Sequence, residues 1–122
     1  MKLTNNEIYN YAIALGKAFE DETQKLPIKV SFYLQKNKKT LIDLAQDIES
    51  TRMKIAQENG TFDESTGQYS INQDKIEEVS KELNDLFNLE QEVNIYKINI
   101  DSLDEDLLIS TAQMEALMFM ID

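Results

Sequence analysis

With 122 residues, three glycines, one proline and 42% apolar side chains, the chain has room for one domain. Long helices suit it better than a many-turned β-sandwich or barrel. It contains no cysteine and no histidine, which excludes disulfides, thiol nucleophiles, imidazole bases, Cys/His zinc centres and histidine-dependent triads. Twelve basic against 23 acidic residues give a formal charge of −11, which disfavours direct nucleic-acid and anionic-membrane binding.

A first helix is expected over about residues 4–22. Thr4 and Glu7 are spaced as a capping box, Leu3 and Ile8 as a hydrophobic staple. Ile8, Tyr11, Ala12, Leu15 and Phe19 then line one face. Glu20, Asp21 and Glu22 oppose the helix dipole at the far end, where fraying should begin.

Pro27 suits the first turn of a second, long helix, expected over about residues 27–58 and roughly 48 Å in length. Residues 28–34 fit a strand as well, because Ile28, Val30, Phe32 and Leu34 alternate. Leu34, Leu41, Ile48 and Ile55 recur every seven residues with Val30 and Leu44 between them, a coiled-coil seam interrupted by Asn37 and Thr51. Asn59-Gly60 should close this helix through a left-handed glycine. Residues 59–72, around TFDESTGQYSIN, read as a β-hairpin or an ordered loop.

A third helix is expected over about residues 73–90, with Ile76, Val79, Leu83 and Leu86 as its seam, packed antiparallel on the second. Residues 92–100 alternate as a strand with a slip at Tyr96-Lys97, and its nearest partner is Met1-Lys2-Leu3, the hairpin loop being the other candidate. A last helix over about 110–121 starts with the capping box Ser110/Gln113 and the staple Ile109/Met114. Its apolar face is Met114, Leu117, Met118 and Ile121, which leaves Phe119 and Met120 pointing elsewhere, at least one of them exposed or at an interface. The expected fold is mainly α in a single domain, 1–122. Its core is an antiparallel long-helix hairpin, joined by a short N-terminal helix, a capped C-terminal helix and a small two-stranded β element.

Catalysis is not expected. A carboxylate acid–base pair needs a cleft, which a helical hairpin scarcely offers, and no Gly-rich phosphate loop, G-x-S-x-G elbow or Ser/Lys constellation is present. No cofactor and no metal are expected. Asp63-x-Ser65-x-Gly67 starts like a calcium loop, but its sixth position is Gln68 and its twelfth Asp74. Asp101, Asp104, Glu105 and Asp106 read as a solvated acidic turn before the last helix. No segment reaches 18 consecutive apolar residues and the N-terminus has no signal-peptide pattern, so neither a membrane span nor export is expected, and a cytoplasmic location is the expectation.

The charge is polarised. Residues 1–57 carry nine basic and seven acidic side chains (+2), whereas residues 58–122 carry three and sixteen (−13). Asp74, Glu78, Glu82 and Asp85 recur every three or four residues on the third helix, opposite its seam. Such a row is either the wet face of an amphipathic helix or a rigid imitation of a phosphate backbone. With Asp101, Asp104, Glu105 and Asp106 it forms the candidate partner-binding set, and the partner it fits is a protein with a basic surface. Lys25, Lys29, Lys36, Lys38 and Lys39 form a basic patch, expected to be neutralised within the molecule by Glu90 and Glu92.

MKLTNNEI at the start, LPIKVSFYLQKN, VNIYKINID and ALMFMI together resemble small acidic proteins of phages and prophages of Gram-positive bacteria. The resemblance carries over no site residues. It implies a binding inhibitor of host machinery, of the anti-CRISPR or another anti-defence type, acting in the host bacterial cytoplasm. The alternative is a phage assembly or structural accessory protein, or a homo-oligomer built on the helical hairpin.

Overall fold

The computed structural model describes residues 1–21, 24–103 and 107–122. The fold is mainly α, with two small antiparallel sheets. Strand β1 (Lys2–Thr4) leads into α1 (Asn5–Ala18) through Thr4, whose hydroxyl accepts from the Glu7 amide at 3.1 Å while the Glu7 carboxylate accepts from the Thr4 amide at 3.0 Å. The helix closes at Ala18, before the acidic cluster, and Glu22 lies outside the described residues.

Helix α2 (Ile28–Asn59) starts directly after Pro27, so residues 28–34 are helical and the alternation there is incidental. Val30, Leu34, Leu41 and Ile48 are buried, as the heptad reading requires, but their main partner is α1. The two helices run antiparallel, Tyr9 lying by Glu49 and Gly16 by Leu34 and Lys38. Together with Leu3, Ile8, Ala12, Leu15, Val93, Ile98, Ala116, Leu117 and Met120 they form one core, each large side chain contributing about 1.5–3 kcal/mol. The expected α2–α3 hairpin exists but is peripheral. Helix α3 (Ile76–Asn88), only about 20 Å long, contributes Val79 as its one buried residue, with Leu86 and Phe87 half-buried against the core.

Between α2 and α3 the chain folds as a β-hairpin, β2 (Gly60–Asp63) with β3 (Gln68–Ile71), followed by a 3-10 turn, Gln73–Lys75. Gly67, at φ +69°, supplies the left-handed residue of its loop, and Asp63 accepts from the Ser65 amide (2.9 Å) and hydroxyl (2.7 Å). Those oxygens thus serve a turn. Gly60 does not close α2 as expected: its backbone is extended (φ −139°, ψ 172°) because it already opens β2. It is needed for closeness instead. A Cβ there would stand 2.7 Å from the Ser70 carbonyl oxygen and 2.8 Å from that of Ala56. Gly60→Ala should cost about 1–3 kcal/mol in urea unfolding, because two backbone segments must move apart.

Strand β4 (Glu90–Glu92) pairs with β1, Leu3 opposite Gln91, so the expected N-terminal partner is found, but the strand precedes the expected one: of residues 92–100 only Glu92 belongs to it. Beyond it, Val93 still bonds to Met1 through its backbone, its amide donating to the Met1 carbonyl at 2.8 Å, and the ladder then ends. Tyr96 instead meets the side chain of Asn37, and Ile98 bridges to Ile121 next to a 3-10 turn, Ile100–Ser102. Asn37 is completely buried. Its amide donates to the Tyr96 carbonyl at 2.9 Å and its oxygen accepts from the Tyr96 N–H at 2.8 Å, as a neighbouring strand would. The apparent flaw in the seam is therefore the ladder partner that the extended segment lacked.

Helix α4 (Thr111–Leu117) has the expected Ser110/Gln113 box, and Gln113 also ties it to α1 by donating to the Ala18 carbonyl at 2.8 Å. The α-helix stops at Leu117 and tightens to a 3-10 turn, Met118–Met120. That change of pitch rotates the last residues. Met120 is buried, Phe119 stacks on Tyr11 with centroids 4.5 Å apart, and Met118, assigned to the apolar face by helical spacing, is exposed.

Candidate partner-docking groove

Helix α3 meets α2 only along part of its circumference, so a shallow groove of about 340 Å³ remains between them. Ile55 and Thr51 of α2 form one side, with Leu86 and Leu89 at the base and end. Glu82 and Asp85 stand on the other rim. Leu89 is 58% exposed, so the apolar floor opens to solvent. The acidic row flanks the seam rather than facing directly away from it, which corrects the sequence placement. Asp74, in the turn before α3, and Glu78, in its first turn, extend the row, and all four carboxylates are exposed.

Among the described residues, Lys75 is the one cation paired with the row, 3.5 Å from Glu78 and with both groups in solvent. Such a pair contributes about 0–1 kcal/mol. Asp74, Glu82 and Asp85 form no ion pair among the described residues, so this rim keeps its negative charge. Repulsion between neighbours three and four residues apart works against the helix.

The remaining candidates are elsewhere. Asp101 is exposed on the turn beyond Tyr96, and Tyr96 is pinned to Asn37. About 21 Å of helix axis separates Asn37 from Thr51, so Asp101 does not join the α3 rim. Asp104, Glu105 and Asp106 lie outside the described residues.

The basic patch is not neutralised as expected. Glu92 pairs with the N-terminal amine at 3.0 Å and Glu90 with Lys2 at 3.5 Å, because the β1–β4 ladder carries both to the far end of α1. Lys25, Lys29, Lys36, Lys38 and Lys39 make no ion pair among the described residues.

Two features escaped the reading of the sequence: Asn5, which left no local signal, and Glu49 with Arg52, whose i,i+3 spacing was one. Asn5 is buried, donates to the Leu86 carbonyl at 2.8 Å and accepts from Gln91 at 2.6 Å. It closes the C-terminal end of α3 and so fixes the groove floor against α1. Glu49 and Arg52 form an i,i+3 pair beside Tyr9, with Arg52 Nε 2.9 Å from the carboxylate. Hydrogen bonding from Arg52 holds the Glu49 carboxyl below its ordinary value; burial opposes this, and the Arg52 charge and the Tyr9 hydroxyl add to the lowering. A group with a depressed folded value contributes stability above its unfolded pKa of about 4.5, and that contribution vanishes as pH falls through the folded value. The stability gap between the protein and Glu49→Gln, read as unfolding midpoints over a pH series, should therefore be full at neutral pH and close in acid. Glu49 is kept ionised, the wrong direction for a general acid.

Larger hollows lie between α1 and α2 (about 580 Å³, lined by Gly16, Phe19, Leu26 and Lys38) and between α1 and α4 (about 480 Å³, lined largely by Tyr11 and alanines). Among the described residues no helix is long and apolar enough to cross a membrane, and no cluster of three carboxylates is arranged to hold a metal ion. Comparison with family models, curated proteins and solved structures found no match to the chain.

Proposed function

We propose that the chain is a non-enzymatic binding protein that inhibits a host nucleic-acid-handling or defence protein, of the CRISPR kind, by seating the α3 rim in a basic channel. The observation that carries this reading is the pairing of Glu82 and Asp85 with an open apolar groove containing Ile55 and Leu89. Apolar floor and charged rim are the anatomy of a recognition surface: burial supplies affinity, and charge supplies steering and register. A channel built to hold phosphates would meet carboxylates spaced about 4.5–6 Å along a stiff helix. The setting of this activity would be the bacterial cytoplasm.

The experiment is affinity capture from a Gram-positive host lysate with the protein and with Glu78→Gln/Glu82→Gln/Asp85→Asn. A captured basic protein that is lost with the triple variant and with rising salt supports the reading. Capture indifferent to both overturns it. For the alternative of a homo-oligomer on the hairpin, Leu34, Leu41 and Ile48 are already spent inside the core, so self-assembly needs another face.

A further inference from the structure

Such a face exists at the other end of α2. Ile28 is 88% exposed and Phe32 50% exposed, with Lys29, Lys36 and Lys39 in solvent around them. At 100° per residue these five positions fall on the side of the helix turned away from Val30, Leu34, Asn37 and Leu41. Lys36 lies 5.4 Å from the ring centroid of Phe32, and Lys29 lies 5.7 Å from that of Tyr33, so two of the ammonium groups are held beside aromatic faces. This surface is the electrostatic opposite of the α3 rim. Each combines apolar anchors with a row of one sign, about 15 Å long from Lys29 to Lys39 and about 10 Å from Glu78 to Asp85. Within one chain they do not meet, since about 18 Å of α2 separates Lys39 from Thr51.

We propose that the α2 stripe docks on the α3 groove of a second copy of this chain. Phe32 and Ile28 cover the floor around Ile55 and Leu89, and the lysines face Glu78, Glu82 and Asp85. The inference rests on the groove being a docking surface, and self-association then competes with the partner for it. Because the two surfaces differ, the contact is head-to-tail. It leaves one stripe and one groove free at the ends and grows beyond a dimer. A second copy fits the stripe better than a nucleic acid does, because the copy carries both the complementary charge and an apolar floor for Phe32. A polyanion would meet a molecule of net charge −11.

The charge also dictates an unusual salt profile. At ~0.01 M salt the Debye length of about 30 Å lets whole copies repel one another. Near 0.1 M, at about 10 Å, that repulsion is screened while the contact pairs persist. At 1 M, about 3 Å, the contact pairs weaken as well. Association should therefore peak at intermediate salt.

The test is sedimentation velocity on the purified chain at these three salt concentrations, with Lys29→Gln/Lys36→Gln/Lys39→Gln and with Glu78→Gln/Glu82→Gln/Asp85→Asn. The protein should grow past dimer at intermediate salt, and each variant alone should associate at least about tenfold more weakly. An equal mixture of the two should form a dimer and stop there, since one intact contact remains and both ends are disabled. That dimer also shows that both variants are folded. A protein monomeric at every salt concentration, a lysine variant associating like the protein, or a mixture without dimer overturns the proposal. So does a monomeric protein that binds a short single-stranded oligonucleotide through these lysines. Lysate capture separates the two proposals. If self-association is absent while capture still depends on Glu78, Glu82 and Asp85, this inference alone falls. If capture ignores those carboxylates, the proposed function falls.

Discussion

Asn37→Leu is expected to lower stability by about 2–5 kcal/mol, the largest loss among the substitutions considered. Leucine has a similar volume and would suit a coiled-coil seam, so a packing argument alone predicts a neutral or stabilising change. The hydrogen bonds reverse that sign. Asn37 supplies both a donor and an acceptor to the backbone of Tyr96, and each group left without a partner costs about 1–3 kcal/mol. The expected signature is a lowered urea midpoint with fast hydrogen exchange at the Tyr96 amide. Asn37→Asp provides a control. It keeps the acceptor but loses the donor and buries a carboxylate, whose folded pKa rises. Its stability should fall as pH rises above about 3.9 and recover in acid, whereas the leucine variant should show no such recovery. A leucine variant as stable as the protein would contradict the role assigned to Asn37.

Neutralising the α3 rim is the second large effect. Glu78→Gln/Glu82→Gln/Asp85→Asn should weaken partner binding by about 100-fold, or roughly 2.7 kcal/mol. It should also flatten the salt dependence and slow association more than dissociation is hastened. Folding should scarcely respond. Relief of like-charge repulsion between residues three and four apart is offset by loss of the Lys75–Glu78 pair and of the favourable Glu78 charge in the first turn of α3, so Tm should hold within a few degrees. Binding lost while Tm holds is the mark of a row retained for recognition, not for stability. Binding lost together with folding would instead make the row structural.

What could be read from the sequence follows the range of the interaction. The capping boxes at Thr4 and Ser110 were legible because both partners lie within one turn, and the buried seam of α2 because its period is local. Long-range partners were not. Asn37 and Asn5 act on backbone groups some sixty and eighty residues away; Asn37 shows in the sequence only as a polar break in the seam, with nothing to name its partner, and Asn5 leaves no periodic trace. The choice of α1 over α3 as the main partner of α2 was likewise hidden, since both helices carry suitable apolar faces. The tightening of the chain after Leu117 reversed the fates of Met118 and Met120 because their spacing assumed an unbroken α-helix. The carboxylates of the candidate site were visible as residue types. Their position on the rim of a groove was not, because it depends on how α3 tilts against α2.

Hydrogen exchange on the chain with and without its captured partner tests the central claim most directly. The account predicts new protection in α3 and at residues 51–55, where the acidic rim and apolar floor meet. Protection confined to residues 28–39, or to the α1–α4 hollow, with α3 exchanging as in the free chain, would contradict it.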